Sequence, residues 1–409
     1  MKIKKVLIEC SKTYNSEFTT GIQRVVKNII ENRKVIENNF QVETMPVIFT
    51  KKGFVRFATE NLDIFNKKNV FKSIVKKIFF KDYPKIYSFL QATYRNLIKP
   101  AIEYLADISK KNIIDISDGG NLIILPEPLW TYNIWNLRFI KKYKNLGNAF
   151  IPLIYDISPI TNPEYSYKYV YKLFNRNFNS IIPNSIGIIT ISRSEKRIIE
   201  EYLNQKKVKK TVEYFYLGFN INTKTKSYEK FDIKSENYFL MVGTLDPNKN
   251  HDFVIKAFEI LWNNGFKDDL ILVGAPGWNS KTLNRINYSP FLNKKLFYFG
   301  YVTDSKLNYL YKNAKALIFA SNREGFGLPL VEAISQGINV IASDIDVFKE
   351  VGKDCVIYFK QNNIEDFMKK IKTFQKKEEL HCQNLTILNW EQSINMFCQS
   401  IKNLIEKYD

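Results

Sequence analysis

The feature that constrains this chain most is a glycine-rich segment at residues 320–333, Ala-Ser-Asn-Arg-Glu-Gly-Phe-Gly-Leu-Pro-Leu-Val-Glu-Ala. An apolar run of buried-strand type precedes it at residues 316–319, and apolar residues recur at helical spacing after Pro329. The order is therefore strand, glycine loop and helix start. Gly325 and Gly327 let the backbone approach a ligand closely, and the amide groups at the start of a helix favour an anion, so the segment predicts a phosphate site.

Two carboxylates bracket this loop. Glu324 lies directly before the glycines, and Glu332 lies eight positions later, about one turn into the predicted helix, where its side chain can reach a sugar hydroxyl. The alternative is that both are solvated carboxylates favoured by the helix dipole. The spacing of Glu324 and Glu332, with Gly-Phe-Gly-Leu-Pro inside it, resembles the motif of the retaining glycosyltransferases of family 4, which have the GT-B fold.

The resemblance implies an α/β chain of two Rossmann-like domains that face each other across a cleft. It implies that the second domain binds a nucleotide sugar and the first an acceptor, with retention at the anomeric carbon of the sugar. In that family the first glutamate lies beside the transferred sugar and the second binds the ribose, so Glu324 is a catalytic candidate and Glu332 a donor-binding one. The same motif assigns four further residues to donor binding: Gly325, Phe326, Gly327 and Leu328.

Two other loops carry donor-binding candidates by the same resemblance. Gly21 follows a predicted strand at residues 5–8 and precedes an amphipathic helical pattern, which resembles the family's loop near the donor phosphates. Arg24, in that helix, either takes part or faces solvent. The loop after a second predicted strand, at residues 238–242, supplies four more candidates: Gly243, Thr244, Asn248 and Lys249.

Asn248 departs from the family pattern, in which an arginine and then a lysine late in this loop grip the donor diphosphate. Lys249 matches the lysine, and Asn248 stands in the arginine position. An amide still donates a hydrogen bond, but it loses a charge-assisted contact worth about 1.5–3 kcal/mol. The departure leaves open weaker donor binding or an inactive glycosyltransferase-like scaffold.

Asp156 ends an apolar run at residues 150–156 and resembles the family position that often reads His-Asp beside the donor sugar and the acceptor. Tyr155 stands before it, so no histidine role is carried over. Asp156 is therefore the acceptor-side catalytic candidate. Its alternative role is that of a capping or turn residue.

Two shorter patterns are interpreted as helix starts. Ser192 and Glu195 have the spacing of a capping box. Asp344 and Asp346 match a DxD metal motif, but helix N-capping is favoured because they lie between a predicted strand and a predicted helix. The cysteines and histidines have no zinc spacing. The resemblance implies that Lys249 and loop N–H groups stabilise the departing diphosphate, so we expect no metal or other cofactor.

A polar, lysine-rich stretch at residues 222–237 is interpreted as a linker between domains. We therefore expect an acceptor-binding domain at residues 1–221, a nucleotide-sugar-binding domain at residues 222–387, and a terminal helix at residues 388–409 that packs back on the first domain. No run of 18 uncharged apolar residues occurs, and Glu9 interrupts the apolar start. We expect neither a spanning helix nor a signal peptide, and hence a cytoplasmic protein.

The net charge of +20 predicts attraction to anionic partners. Residues 51–112 hold fourteen Lys or Arg against five Asp or Glu, and residues 70–80 place apolar side chains on one helical face and lysines on the other. Such a helix can lie in a membrane interface, which would hold the chain at the inner face of the cell membrane, or its apolar face packs on the domain core. No helix-turn-helix, RNP or zinc signature accompanies the charge, so no nucleic acid is expected as a partner.

The resemblance implies transfer of a hexose or deoxyhexose, with mannose as one candidate, from a nucleotide sugar to a lipid-linked or polysaccharide acceptor. The process would be O-antigen or capsule synthesis. A nucleic-acid-binding protein and an inactive glycosyltransferase-like scaffold are the alternatives.

Overall fold

The computed structural model describes residues 2–14, 20–50, 53–57, 113–219, 237–277, 280–374 and 387–408. The amphipathic pattern at residues 70–80, most of the basic segment 51–112 and nearly all of the expected linker lie outside these ranges. Contacts divide the chain into two compact units: Met1–Leu153 with Arg176–Ile188 and Lys402–Asp409, and Ile154–Asn175 with Ile189–Ile401. The domain boundaries expected from the sequence stay a prediction.

In the part of the chain that the structure describes, eight strands form the first sheet: β1 Lys5–Glu9, β2 Thr44–Thr50, β3 Gly53–Arg56, β4 Ile113–Ile114, β5 Asn121–Leu125, β6 Ala149–Ile154, β7 Ile188–Thr190 and β8 Val212–Tyr214. Their order is β4-β3-β2-β1-β5-β6-β7-β8. β1 pairs in parallel with β2 and β5, and β5 pairs in parallel with β6. β5 is buried along its whole length, as continuous apolar runs are in parallel sheets.

Six strands of the described residues form the second sheet: β9 Tyr238–Val242, β10 Asp269–Val273, β11 Leu296–Tyr298, β12 Ala316–Phe319, β13 Val340–Ser343 and β14 Val356–Phe359. The order is β11-β10-β9-β12-β13-β14, and all the pairings are parallel. This is the doubly wound Rossmann order, which reverses between β9 and β12. Because parallel strands end at the same edge, the loops after β9 and β12 emerge side by side at this switch point.

Fourteen α-helices lie in the described ranges: α1 Ser11–Tyr14, α2 Gly21–Glu31, α3 Arg33–Phe40, α4 Ile134–Asn145, α5 Ser158–Thr161, α6 Lys168–Ile181, α7 Arg193–Gln205, α8 His251–Asn263, α9 Ser280–Tyr288, α10 Asp304–Asn313, α11 Leu328–Ser335, α12 Asp346–Gly352, α13 Ile364–Lys372 and α14 Trp390–Tyr408. The amphipathic helical pattern predicted after Gly21 is confirmed as α2, since Val25, Val26, Ile29 and Ile30 are buried. Arg24 is exposed.

Aromatic packing builds the core of the second unit. Phe258 of α8 lies 5.8 Å, centre to centre, from Phe239 of β9, and Phe367 of α13 lies 4.8 Å from Phe359 of β14. All four rings are at most 1% exposed. Edge-to-face pairs of this kind stabilise a core by about 0.5–1.5 kcal/mol beyond the area they bury. These helices thereby fix the sheet whose loops carry the candidate site.

The capping box predicted at Ser192 and Glu195 is half wrong. Ser192 caps α7, because its Oγ accepts a hydrogen bond from the Glu195 amide at 3.0 Å. The Glu195 carboxylate does not return the bond to Ser192 and instead contacts Ile157 and Arg323. The carboxylate that local spacing assigned to the helix start therefore binds an arginine distant in sequence and a buried backbone amide instead.

The N-capping predicted for Asp344 and Asp346 is also wrong. The N-cap of α12 is Ile345, without a side-chain cap bond. Asp344 accepts from the Gln361 amide at 3.0 Å, and Asp346 pairs with Arg197. Within the described ranges, no group of three or more His, Cys, Asp or Glu side chains is arranged to hold a metal ion.

Candidate functional site

The candidate site lies at the switch point of the second sheet. The strand, loop and helix start predicted around residues 320–333 are confirmed as β12, a loop and α11. The loop after β12 lies against the loop after β9, because the Asn322 amide donates to the Asn248 carbonyl at 2.8 Å. The Asn248 side chain strengthens this junction, since its Nδ2 donates to the Arg323 carbonyl at 2.7 Å.

Lys249 and Glu324 meet at this junction. The Lys249 ammonium donates to Glu324 Oε1, and the same oxygen accepts from Ser321 Oγ at 2.8 Å. The side chains are 23% and 15% exposed, so the pair is partly desolvated yet reachable from solvent. Lys249 Nζ also lies 5.4 Å from the centre of the Phe319 ring, a cation–π distance. Two residues that the sequence assigned to donor binding and catalysis, 75 positions apart, are thus in direct contact.

The other candidates in the loop after β9 lie close to Lys249 or in solvent. Gly243 lies against the lysine, because a Cβ built on it would be 3.7 Å from the lysine side chain. Thr244 is exposed. Asn248 is half-buried, and its Oδ1 is buried with no hydrogen-bond partner among the residues that the structure describes. The amide that stands in the arginine position therefore joins two loops through its nitrogen.

The glycines of the loop after β12 permit two close approaches. A Cβ on Gly325 would lie 2.1 Å from the carbonyl oxygen of Tyr155, so a side chain there has no room. Gly327 is the N-cap of α11 at φ +95°, in the left-handed region that favours glycine. Gly325 thus brings the Glu324 loop against the segment that precedes Asp156.

The remaining donor-binding candidates are placed around the start of α11 or in the first unit. Phe326 is 5% exposed, and its ring lies 6.2 Å from that of Tyr216. Leu328 opens α11 half-buried, and Glu332, one turn later, is 7% exposed. Gly21 is the exposed first residue of α2, in the first unit.

Asp156 adopts the local turn that was its alternative role. Its Oδ1 accepts from the Ser158 amide at 2.9 Å and from the Ser158 hydroxyl. This turn follows β6 and leads into α5. The turn fixes the Asp156 carboxylate, whose charge adds to the rise in the pKa of Glu195 that burial causes.

Sequence reasoning missed the pair formed by Arg323 and Glu195. Arg323 Nη2 lies 3.1 and 3.2 Å from the two carboxylate oxygens of Glu195, which is 1% exposed. Burial raises the pKa of the Glu195 carboxyl, Arg323 opposes the rise by stabilising the ionised form, and Asp156 adds to it. The available signal was the position of Arg323 directly before Glu324, but an arginine in a loop is ordinary.

A cavity of about 740 Å³ adjoins the glycine loop, with Phe326, Val331 and Tyr216 in its lining. Charged side chains in that lining already have partners. Arg197 pairs with Asp346, and the Glu350 carboxylate accepts from the amides of Arg193 and Ser194 at 2.7 Å. The cavity is therefore a weaker candidate for an anionic donor than the junction at Lys249.

Comparison with known proteins finds similarity to glycosyltransferases. Residues 223–385 match the family model described as glycosyl transferases group 1. The chain is 32% identical over 271 residues to the serotype-specific mannosyltransferase WbdA of Escherichia coli, an alignment that covers 62% of this chain and 33% of that protein. It is 29% identical over 260 residues to the O-antigen chain mannosyltransferase RfbU of Salmonella typhimurium strain LT2, which covers 60% and 70% of the two chains. The chain thus spans about a third of the length of WbdA.

A solved structure extends the likeness to the whole chain. The structure of Anabaena HepE in complex with UDP and glucose has a TM-score of 0.57 at 12% identity and covers 99% of this chain and 100% of that one. Within the described ranges, no helix combines the length and the apolar character needed to cross a membrane. The finer assignment to family 4 stays a prediction. The α/β class with two Rossmann-like domains is confirmed: the chain has the GT-B fold, and its residues 223–385 match the glycosyl transferases group 1 family.

Proposed function

We propose that this chain is a retaining glycosyltransferase that moves a hexose or deoxyhexose from a nucleotide sugar to a lipid-linked or polysaccharide acceptor of the cell surface. Mannose is the first donor sugar to test, because WbdA and RfbU are both named mannosyltransferases. A nucleoside diphosphate is the expected carrier, and the HepE structure contains UDP and glucose. The match at residues 223–385 supports placing the donor in that region.

The observation that carries the proposal is the contact between Lys249 and Glu324 at the switch point. An ammonium and a carboxylate that are both partly desolvated interact more strongly with a bound ligand than they would in water. In the proposed reaction, Lys249 turns from the carboxylate to the donor diphosphate and stabilises the charge that develops as the diphosphate departs. Glu324 then faces the sugar, where positive charge develops in the transition state.

The start of α11 supplies the second anchor in this proposal. Gly327 at φ +95° opens the helix, and the amides of a helix start favour a phosphate. Glu332, one turn into α11, is the proposed partner of the ribose. Asp156 would act on the acceptor side, and neither a metal nor another cofactor is part of the proposal.

A panel of nucleotide sugars tests the proposal. The protein is incubated with each donor and a lipid-linked or oligosaccharide acceptor, and mass spectrometry follows the mass gained by the acceptor. We expect one donor to transfer in wild type and Glu324→Gln to lower the rate of that transfer at least a hundredfold. Tight nucleotide binding without transfer from any donor would instead support the inactive scaffold. NMR of the product would decide between retention and inversion.

We also propose that the chain acts at the inner face of the cell membrane, bound to its anionic surface. The described support is α4, which contains no acidic residue and exposes Arg138, Lys141 and Lys142. Beside these cations, Ile134 is 47% and Trp135 58% exposed. Exposed tryptophan next to basic residues is typical of helices that lie in a membrane interface.

A further inference from the structure

We propose that the buried ion pair of Arg323 and Glu195 is a positioning element that fixes both proposed catalytic residues, Glu324 and Asp156, relative to each other. The inference rests on the proposed function for the catalytic meaning of those two residues. The contacts themselves do not depend on the proposed function, because they join two loops within the second unit.

The first contact ties the Glu324 loop. Arg323 directly precedes Glu324, and its Nη2 lies 3.1 and 3.2 Å from the two oxygens of Glu195. Its Nη1 lies 3.4 Å from Asn162 Oδ1. The arginine side chain is 16% exposed, so the guanidinium is held by protein groups away from bulk water. The backbone next to Glu324 is therefore anchored on one side.

The second contact ties the Asp156 loop to the same carboxylate. Glu195 Oε1 accepts from the amide of Ile157, directly after Asp156, at 2.9 Å. The same oxygen accepts from Arg323. Glu195 itself is fixed by α7, whose cap at Ser192 sets its backbone. One buried oxygen thus links the neighbours of both catalytic candidates.

A third contact joins the residue after Glu324 to the residue before Asp156. Gly325 follows Glu324, Tyr155 precedes Asp156, and a Cβ on Gly325 would lie 2.1 Å from the Tyr155 carbonyl oxygen. Each candidate therefore stands between two anchored neighbours. With both flanks held, the backbone of neither residue can shift without breaking the ion pair or the close approach.

Energetics favour a positioning role over a purely stabilising one. Removing a carboxylate and a guanidinium from water is costly, and a buried ion pair is often no more stabilising than apolar side chains of similar volume. Glu195 is 1% exposed, so it bears that desolvation in full. An arginine in this pair gives fixed directions through its planar donors, which methionine or leucine would not.

The decisive variant is therefore the apolar double replacement Glu195→Met with Arg323→Met. We expect it to unfold near the wild-type temperature, whereas either single replacement destabilises the protein by leaving a buried charge unpaired. We expect its kcat to fall at least tenfold while its affinity for the donor nucleotide changes less than threefold. The single variant Arg323→Lys should keep part of the kcat, because lysine retains the positive charge but lacks the planar set of donors of arginine.

The matched control is the pair Lys315 and Asp268, which precedes β12 at the opposite end of the strand. Its Nζ–Oδ2 distance is 2.6 Å, and its side chains are 28% and 16% exposed. The double replacement Lys315→Met with Asp268→Met should leave kcat within twofold of wild type. A kcat loss equal to that of the Arg323 pair would overturn the inference, because it would reflect general loosening of the unit.

Hydrogen exchange supplies a readout that needs no reaction. In the apolar double variant, we expect faster amide exchange in peptides that cover residues 155–162 and 321–327, and unchanged exchange in α8. The control variant should leave both peptides as in wild type. If exchange in both peptides stays unchanged, or if the double variant keeps wild-type kcat, the inference fails. Absence of transfer in wild type itself would refute the proposed function, and the exchange result would still decide the positioning role.

Discussion

At the scale of single residues, Lys249 and Lys315 form similar ion pairs near opposite ends of β12. Both ammonium groups pair with a carboxylate that is about 15% exposed, and both lie over a phenylalanine ring, at 5.4 and 5.8 Å. Lys315 precedes β12, whereas Lys249 contacts the loop that follows it. In parallel α/β sheets, ligands bind outside the carboxyl ends of the strands. The expected donor contact therefore belongs to Lys249.

Nucleotide binding is expected to depend on the charge of Lys249 and not on that of Lys315. Lys249→Met keeps the packing on Phe319 but removes the charge, so we expect donor affinity to fall about tenfold, equivalent to about 1.4 kcal/mol. Lys315→Met removes the same charge at the other end of the strand and should leave affinity within twofold. Titration calorimetry with the donor that transfers measures both. Equal affinities in the two variants would remove Lys249 from the donor site.

Glu324 is expected to act on turnover rather than on binding. Glu324→Gln keeps an oxygen that can accept from Ser321 but removes the negative charge beside the sugar. We expect kcat to fall at least a hundredfold and the donor Kd to change less than threefold, because the charge matters most when the transition state forms. Steady-state kinetics together with calorimetry separates the two quantities. An effect confined to donor KM would assign the residue to binding instead.

Glu127, in the first unit, predicts a dependence of stability on pH. It is 1% exposed, and burial raises its pKa from 4.5 to about 8, with the charge of Glu9 adding to the rise. Between pH 4.5 and 8 the unfolded carboxyl is ionised while the native one keeps its proton. The native state therefore binds more protons, and the free energy of unfolding falls as pH rises across that window.

In Glu127→Gln, we expect the free energy of unfolding to fall less between pH 4.5 and 8, with a difference from wild type on the order of a few kcal/mol. Urea unfolding at pH 5, 6.5 and 8 measures the free energy of unfolding of wild type and variant. Glu406→Gln, at an exposed position on α14, is the control and should keep the wild-type slope. Parallel slopes for wild type and Glu127→Gln would show that this carboxyl ionises normally in the native protein.

At the scale of elements, apolar runs in the sequence predicted the two strands of the second sheet that carry the candidate site, β9 and β12. Both strands begin and end at the residues predicted from the sequence, 238–242 and 316–319. β2 was not predicted, and it contains Pro46, although proline usually marks an edge strand or a break. Here β2 pairs with β1 and β3, and the Pro46 carbonyl accepts from the Phe57 amide. β2 therefore lies inside the sheet, with a paired strand on each side.

In the candidate site, some residues follow from local sequence motifs and others only from the tertiary structure. Glu324 and Lys249 follow from motifs that are local in sequence, and parallel topology brings them together. Glu195 could not be recognised, since its spacing from Ser192 fits a capping box equally well. Its actual partner, Arg323, lies 128 positions away. A long-range ion pair leaves no periodic trace, and a single sequence contains no other record of it.

The close approach at Gly325 predicts an effect at the scale of two loops. In Gly325→Ala, the added Cβ would meet the Tyr155 carbonyl at 2.1 Å, so one backbone has to move. We expect a large loss of stability, of about 2 kcal/mol or more, together with loss of kcat. Gly337→Ala is the control: it has φ +73° and no neighbour within 4 Å, and should cost about 1 kcal/mol from backbone strain alone. Similar unfolding midpoints in the two variants would refute the close contact.

At the scale of the whole molecule, the net charge of +20 sets the partners that the chain attracts. Charge alone favours any polyanion, so exposed apolar groups are needed to distinguish a lipid surface from other polyanions. On α4 the exposed residues follow helical spacing, with Trp135, Arg138 and Lys142 on one stripe. Leu146, just after the helix, is 41% exposed. An apolar and basic face of this kind fits a bilayer interface.

The expected outcome is salt-sensitive sedimentation of the protein with anionic liposomes and weak sedimentation with neutral ones. Replacing Lys141 and Lys142 by Glu should release the protein, because each basic residue near an anionic surface contributes about 1 kcal/mol. Lys369→Glu with Lys372→Glu on α13 changes the net charge equally at exposed positions and should reduce binding far less. If both double variants lose binding equally, the attraction is diffuse. If neither does, α4 is not the anchor, and replacing Lys72, Lys76 and Lys77 by Glu tests the basic segment next.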